Sequence, residues 1–231
     1  MKKLSFLAVA AWMLSVQLLN AQGTVYSIFA GPSLSTQTVN GFEKDPFLRL
    51  HFLARIESSS EISPNSVYAS LGYHIKGSAV NTPAYIGDNG EQYAQHSSSI
   101  EFHNLSLSVG VKQRREVGSN FFSYGLGLRG DFNLKTDYSD FFLGLQGSEN
   151  KFTYGLNFDA GWEFPLSELV STVIEVGFYP DLKEQIYIPF QDTGYEYSNG
   201  SPVTIPESYI TNVVFEARVG FRFWNKIVYI D

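Results

Sequence analysis

The chain has 231 residues, 44% of them hydrophobic and 16% aromatic, with no cysteine and a formal net charge of −7. The missing cysteines exclude a disulfide framework and a lipid-modified cysteine at a mature N-terminus. The acidic balance excludes the basic footprint of a nucleic-acid partner.

Met1-Lys2-Lys3 opens a mostly apolar, uncharged run from Leu4 to Leu19 that ends in Asn20-Ala21-Gln22. A positive start, a short apolar centre and a small residue at the cut predict a cleaved secretory signal peptide over residues 1–21. Residues 22–231 are then one domain, and loss of Lys2 and Lys3 takes the formal charge from −7 to −9.

Beyond the leader the apolar period is two rather than 3.6, which predicts strands. They fall at 24–36, 47–57, 65–80, 98–112, 120–136, 151–164, 171–180 and 209–224. Adjacent side chains of a strand point to opposite faces. In the second strand Leu48, Leu50, Phe52, Ala54 and Ile56 oppose Arg49, His51 and Arg55. In the third, Val67, Ala69, Leu71, Tyr73 and Ile75 oppose Tyr68, Ser70, His74 and Lys76. In the fourth, Ile100 and Phe102 share one parity, whereas Leu105, Leu107, Val109 and Val111 share the other, and a β-bulge near His103 and Asn104 accounts for the slip. The fifth sets Phe122, Tyr124, Leu126, Leu128, Phe132 and Leu134 against Arg129, Asp131, Asn133 and Lys135. The sixth, FTYGLNFDAGWEF, places Phe152, Tyr154, Leu156, Phe158, Ala160, Trp162 and Phe164 on one face. The eighth sets Val213, Phe215, Ala217, Val219, Phe221 and Phe223 against Glu216, Arg218 and Arg222.

A soluble barrel would turn the apolar faces inward, and a membrane barrel would turn them to lipid. Three features favour lipid. Aromatics flank aliphatics along the apolar faces, as expected of a strand that crosses two bilayer interfaces. The polar faces carry Gly125, Gly127, Gly155, Gly161, Gly177 and Gly220, which suit a narrow interior. The connections 37–46, 81–97, 137–150 and 181–208 are longer than 58–64, 113–119 and 165–170, the asymmetry of external loops and periplasmic turns. The fold class is therefore all-β, an eight-stranded antiparallel up-and-down transmembrane β-barrel in the outer membrane with both termini in the periplasm. At eight strands side chains fill the interior. Arg49, Arg55, Lys76, Lys112, Arg129, Arg218 and Arg222 would meet Asp131, Asp159, Glu163, Glu175 and Glu216 there, plugging the lumen against conduction.

The stretches NAQG, ASLGYHIKGSA, FSYGLGLRGDF, FTYGLNFDAGWEF and VVFEARVGFRF resemble the small outer-membrane β-barrel proteins of Bacteroidetes, the PorT-like family, and more distantly the eight-stranded OmpX and OmpA barrels. The resemblance spans nearly the whole mature chain. It implies outer-membrane lipid as surroundings, the barrel-assembly machinery as a partner during biogenesis, and, as an alternative role, a component of a secretion apparatus. The chain departs from the family in closing on WNKIVYID rather than on an aromatic residue.

Catalytic arrangements are weighed residue by residue. His96, Ser98 and Glu101 have a superficial likeness to a lipid-modifying triad, but Glu101 lies on the opposite parity, and a serine nucleophile needs a base oriented by an acid. His51 and His74 share the lumen on adjacent strands and read as members of the charge network. Asp88, Asn89, Gly90 and Glu91 fail the spacing of a calcium loop and read as a turn. No catalytic, cofactor-binding or metal residue is assigned, and the protein is expected not to be an enzyme. The seventh connection, 181–208, carries Ile186, Tyr187, Ile188, Phe190, Tyr195 and Tyr197 with Pro189, Pro202 and Pro206. A loop of this length and aromatic content reads as a hairpin extending beyond the membrane or as a contact surface for a protein partner, and the long external loops, this one above all, are expected to carry the function.

Overall fold

The computed structural model describes residues 23–38, 45–59, 64–86, 91–196 and 202–226. The expected signal peptide, the Asn89-Gly90 turn and the tail from 227 lie outside the described residues. Eight long strands build the wall: β1 (Gly23–Thr38), β2 (Phe47–Ser59), β3 (Asn65–Thr82), β4 (His96–Val117), β5 (Asn120–Tyr138), β6 (Phe152–Pro165), β7 (Val170–Pro180) and β8 (Ser208–Lys226). Each pairs antiparallel with the next, and β8 returns to β1 from Gly23↔Lys226 to Thr38↔Thr211. Closure removes the free strand edges that hydrocarbon cannot tolerate. Both described ends of the chain lie beside the short connections. There Gly118, at φ +64°, starts the two-residue turn between β4 and β5. A positive φ at that position is what a type II′ hairpin requires.

The faces agree with the parity read from sequence in β2, β3, β6 and β8. Leu50, Phe52, Leu71, Leu128, Phe152, Phe215 and Val219 are exposed on the outside, while Arg55, Lys76, Arg129, Glu175 and Arg218 are buried inside. Exposed aliphatics and aromatics around a whole barrel make a surface that only lipid can solvate. Aromatic contacts knit this belt between neighbouring strands: Phe158 to Phe178 at 6.1 Å, Phe178 to Phe215 at 4.9 Å and Phe122 to Trp162 at 5.8 Å between ring centres.

β4 differs from the expectation in an instructive way. Its inward parity runs unbroken through Ser98, Ile100, Phe102, Asn104, Ser106 and Ser108. The backbone does not slip there. What changes is the solvent: below His103 the outward residues are Leu105 and Leu107, and above it they are His103 and Glu101, while the inside turns from polar to apolar. A strand of 22 residues is about twice what a bilayer crossing needs. Its upper half therefore stands in water and adopts the ordinary apolar-in, polar-out pattern. The bulge does exist at this height, but on the neighbouring strand: His103 pairs with Lys135 and Asn104 with Asn133, leaving Leu134 as the extra residue of β5. Beyond it the parity of β5 shifts by one, so Lys135, expected inside, is exposed and pairs with Asp137 at 2.7 Å.

Candidate functional site

The lumen is filled by a ladder of charges. Nearest the chain termini, Glu57 accepts from Arg222 at 2.7 Å and Lys112 at 3.3 Å, and Glu163 accepts from Arg114 at 3.0 Å and also from Arg222. At mid-height Arg55 donates to Glu175 at 2.9 Å, and Arg218 donates to Asp159 at 2.6 Å, to Glu216 at 3.0 Å, to the Tyr179 hydroxyl at 2.6 Å and to Glu175. Toward the long loops Lys76 bonds Asp131 at 2.5 Å and Asp181 at 2.7 Å, and Arg129 bonds Asp181 at 2.6 Å. Charges persist at such depth only when paired and hydrogen-bonded. Space is equally tight. A Cβ on Gly177 would collide with the Tyr179 ring, and one on Gly127 would come within 2.7 Å of the Tyr68 hydroxyl.

The sequence reading of this ladder needs three corrections. Arg49 is not buried; it sits half-exposed at the wall and pairs with Glu101 at 2.8 Å. Glu57 and Asp181 are buried carboxylates that the reading omitted. Glu57 sits at the last position of the predicted second strand, and Asp181 lies one residue past β7, where a loop was expected. Asp181 is drawn inside because its backbone N–H donates to the Asn212 carbonyl and its carboxylate meets Lys76, Arg129 and Asn212.

The seventh connection accordingly divides in two. Residues 181–188 belong to the barrel: Gln185 and Ile186 are fully buried, and Ile186–Ile188 pairs with β8 from Ile210 to Ser208. Ile186 joins Ile100, Phe102 and Ile210 in an apolar cluster above the charges, against which Tyr138, Phe142, Leu145 and Ile188 pack. Beyond Ile188 the chain projects as a hairpin whose arms are Gln191–Glu196 and Pro202–Ile205. Phe190 and Tyr195 are 60% and 75% exposed there. At its base Tyr187 stacks on Tyr209 at 5.3 Å and donates to Glu207 at 2.8 Å. Bonds from Tyr209 and Tyr187 hold the Glu207 carboxyl below its usual range, and the same contact pushes the Tyr209 phenol up to about 12.

The histidines separate clearly. His51 and His74 do come together, around Glu216: His51 Nε2 is 3.3 Å from Oε2 and His74 Nδ1 is 3.4 Å from Oε1, with His74 Nε2 3.3 Å from Asp131. His96 is exposed on the barrel rim, Ser98 is buried, and Glu101 is engaged by Arg49, so the triad residues are not assembled. His103 is outward, held between the Tyr73 hydroxyl at 2.6 Å and Asp137 at 3.0 Å. Among the described residues no group of three or more His, Asp or Glu side chains is arranged to hold a metal.

A closed ring of eight antiparallel strands, apolar outside and ionic inside, defines a transmembrane β-barrel. No family model and no curated protein matches the chain. Among solved structures the chain is similar to Ail, the attachment invasion locus protein of Yersinia pestis, at 14% identity over 87% of this chain and 99% of that one, with a TM-score of 0.43. It is also similar to the Neisserial surface protein A at 8% identity over 86% and 96%, TM-score 0.43. A third is the outer membrane protein W of E. coli, at 12% identity over 87% and 99%, TM-score 0.40.

Proposed function

We propose that this protein is an outer-membrane barrel that does not conduct and does not catalyse, and that it acts as an interaction protein through the end carrying the long connections. The observation that carries the reading is the double closure of the lumen, by the ion-pair ladder and by the Ile100, Phe102, Ile186 and Ile210 cluster above it. With the interior occupied, the hairpin arms Gln191–Glu196 and Pro202–Ile205 offer a surface for recognition, with Tyr195 and the preceding Phe190 exposed. On this reading the termini are periplasmic, since an even strand count puts both at the end with short turns. The barrel-assembly machinery inserts the chain, and outer-membrane lipid surrounds it.

The PorT-like, Bacteroidetes affiliation rests on the sequence stretches FSYGLGLRGDF and VVFEARVGFRF, and with it the reading as a secretion-apparatus component. One experiment addresses both. Residues 189–207 are replaced by Asn-Gly, and the variant and parent are extracted in detergent, compared heated and unheated on a gel, and used to capture co-purifying proteins. Retained heat-shifted migration with loss of captured partners supports the loop reading. Retention of every partner by the shortened barrel refutes it.

A further inference from the structure

β2 and β3 share a ladder only from Phe52↔Tyr73 to Glu57↔Tyr68, six pairs and the shortest in the wall. Beyond it Phe47–His51 stay on β1 and His74–Thr82 stay on β4, and the two strands meet again at the Asp45–Ala79 bridge. The first residues past the ladder are His51 on β2 and His74 on β3, and one carboxylate spans them. Glu216 of β8 sets its Oε2 3.3 Å from His51 Nε2 and its Oε1 3.4 Å from His74 Nδ1. A side chain thus ties the two strands where their backbones part.

His74 has a carboxylate on each side, since its Nε2 lies 3.3 Å from Asp131 while Nδ1 faces Glu216. A neutral imidazole carries one N–H and one lone pair, whereas an imidazolium donates from both nitrogens. Between two ionised carboxylates a neutral ring would aim its lone pair at one of them. The surrounding charge makes the same demand. Toward the long loops the buried carboxylates Asp131, Asp181 and Glu216 face the buried cations Lys76 and Arg129. Arg218 reaches Glu216, but it also serves Asp159 and Glu175, where Arg55 is the other cation. The loop side of the ladder is therefore one positive charge short, and an imidazolium at His74 supplies it. His51, whose Nδ1 has no hydrogen-bond partner among the described residues, needs a single proton on Nε2 to meet Glu216. The groups set around the His74 ring are Glu216 and Arg218 from β8, Asp131 and Arg129 from β5, His51 from β2, Lys76 from β3 and Tyr179 from β7, with the uncharged Asn104 and Ser106 from β4.

We propose that His74 is a proton-operated latch on this seam. Charged, it holds Asp131 and Glu216 together and, through Glu216, keeps β3 beside β2. Without its proton it leaves a lone pair facing a carboxylate, and the strands part above Phe52 and Tyr73. A cavity of about 20 Å³ lies against both histidines, with room for a water to take the proton. The latch is closed while the ring is charged and opens as pH rises through the titration of that ring.

Two measurements on the full barrel in lipid nanodiscs test this. In protein labelled with ¹⁵N at its histidines, with His51→Gln and His74→Gln as assignments, the ring signals at pH 7 should show two protons on His74 and one on His51. Glu216→Gln removes one of the facing charges and should leave His74 with one proton at the same pH. The chain has no cysteine, so spin labels are placed through Leu50→Cys and Ile75→Cys, outward on the two sides of the seam, and as a control through Ala160→Cys and Val176→Cys on the β6–β7 ladder. The distance across the seam should lengthen and spread as the His74 ring is titrated to neutral, and already at pH 7 in His74→Gln, while the control pair stays fixed. If His74→Gln does not fold, Glu216→Gln, which cuts the tie between the two strands, provides the distance at pH 7. A single proton on His74 at pH 7, two protons retained in Glu216→Gln, or an unchanged distance across the seam through the titration overturns the proposal.

Discussion

The change of solvent along β4 makes a graded prediction. With strands tilted about 40° from the bilayer normal, each residue climbs about 2.6 Å along it. The boundary lies at His103, so Leu107, four residues below, sits about 10 Å into an apolar belt about 25 Å tall, close to its midplane. Leu107 is 59% exposed on the outer face between Leu105 and Val109. Leu107→Arg should therefore cost about 2–4 kcal/mol, whereas His103→Arg, at the interface, should cost about 0–1 kcal/mol. One residue before His103 but inside the barrel, Phe102 is fully buried. Phe102→Ala should cost about 3–5 kcal/mol by emptying an apolar core. Urea titration of each variant in lipid vesicles, read by the fraction migrating as folded barrel without heating, measures all three. Tolerance of Leu107→Arg combined with strong loss at His103→Arg would place the membrane on the wrong half of the strand and refute the inversion.

On the adjacent strand Leu128 pairs with Val109 and Leu156 at similar depth, so Leu128→Arg should also cost about 2–4 kcal/mol in the same titration. Arg218→Met leaves Asp159, Glu175 and Glu216 short of a buried partner and should destabilise by about 3–5 kcal/mol; adding Glu175→Gln to it should recover part of the loss, and a purely additive double variant would argue against a coupled network. Because 181–188 belongs to the barrel, replacing 184–206 should lower the unfolding midpoint through loss of Gln185 and Ile186, while replacing 189–207 should lower it far less. Tyr209 should ionise near pH 12 by ultraviolet titration against Tyr209→Phe, and Glu207→Gln should return it toward 10. The signs differ at that contact: its Glu207 contribution is present above the ordinary carboxyl pKa of 4.5 and fades as pH falls through the depressed value, whereas its Tyr209 contribution is present below 10 and fades as pH rises through 12.

The sequence by itself determined the eight strands, their boundaries to within a few residues, and which face meets lipid. These are local properties, since a period of two along one strand needs no neighbour to be legible. It also indicated that the charged faces must be neutralised together, because Arg218, Glu216 and Arg222 cannot stand unpaired in a narrow lumen. Only the tertiary structure decided which charge meets which. It brought Asp181 in from a nominal loop, turned Lys135 out through the extra residue at Leu134, and gave Arg49 to Glu101. It also decided that the break at His103 is a change of solvent rather than of backbone, which one strand cannot reveal. An inward Phe102 is explained only by Ile186 and Ile210, far along the chain. The short ladder between β2 and β3, which runs only from Phe52↔Tyr73 to Glu57↔Tyr68, is the most hidden feature, because a ladder missing between two strands leaves no mark on the sequence of either.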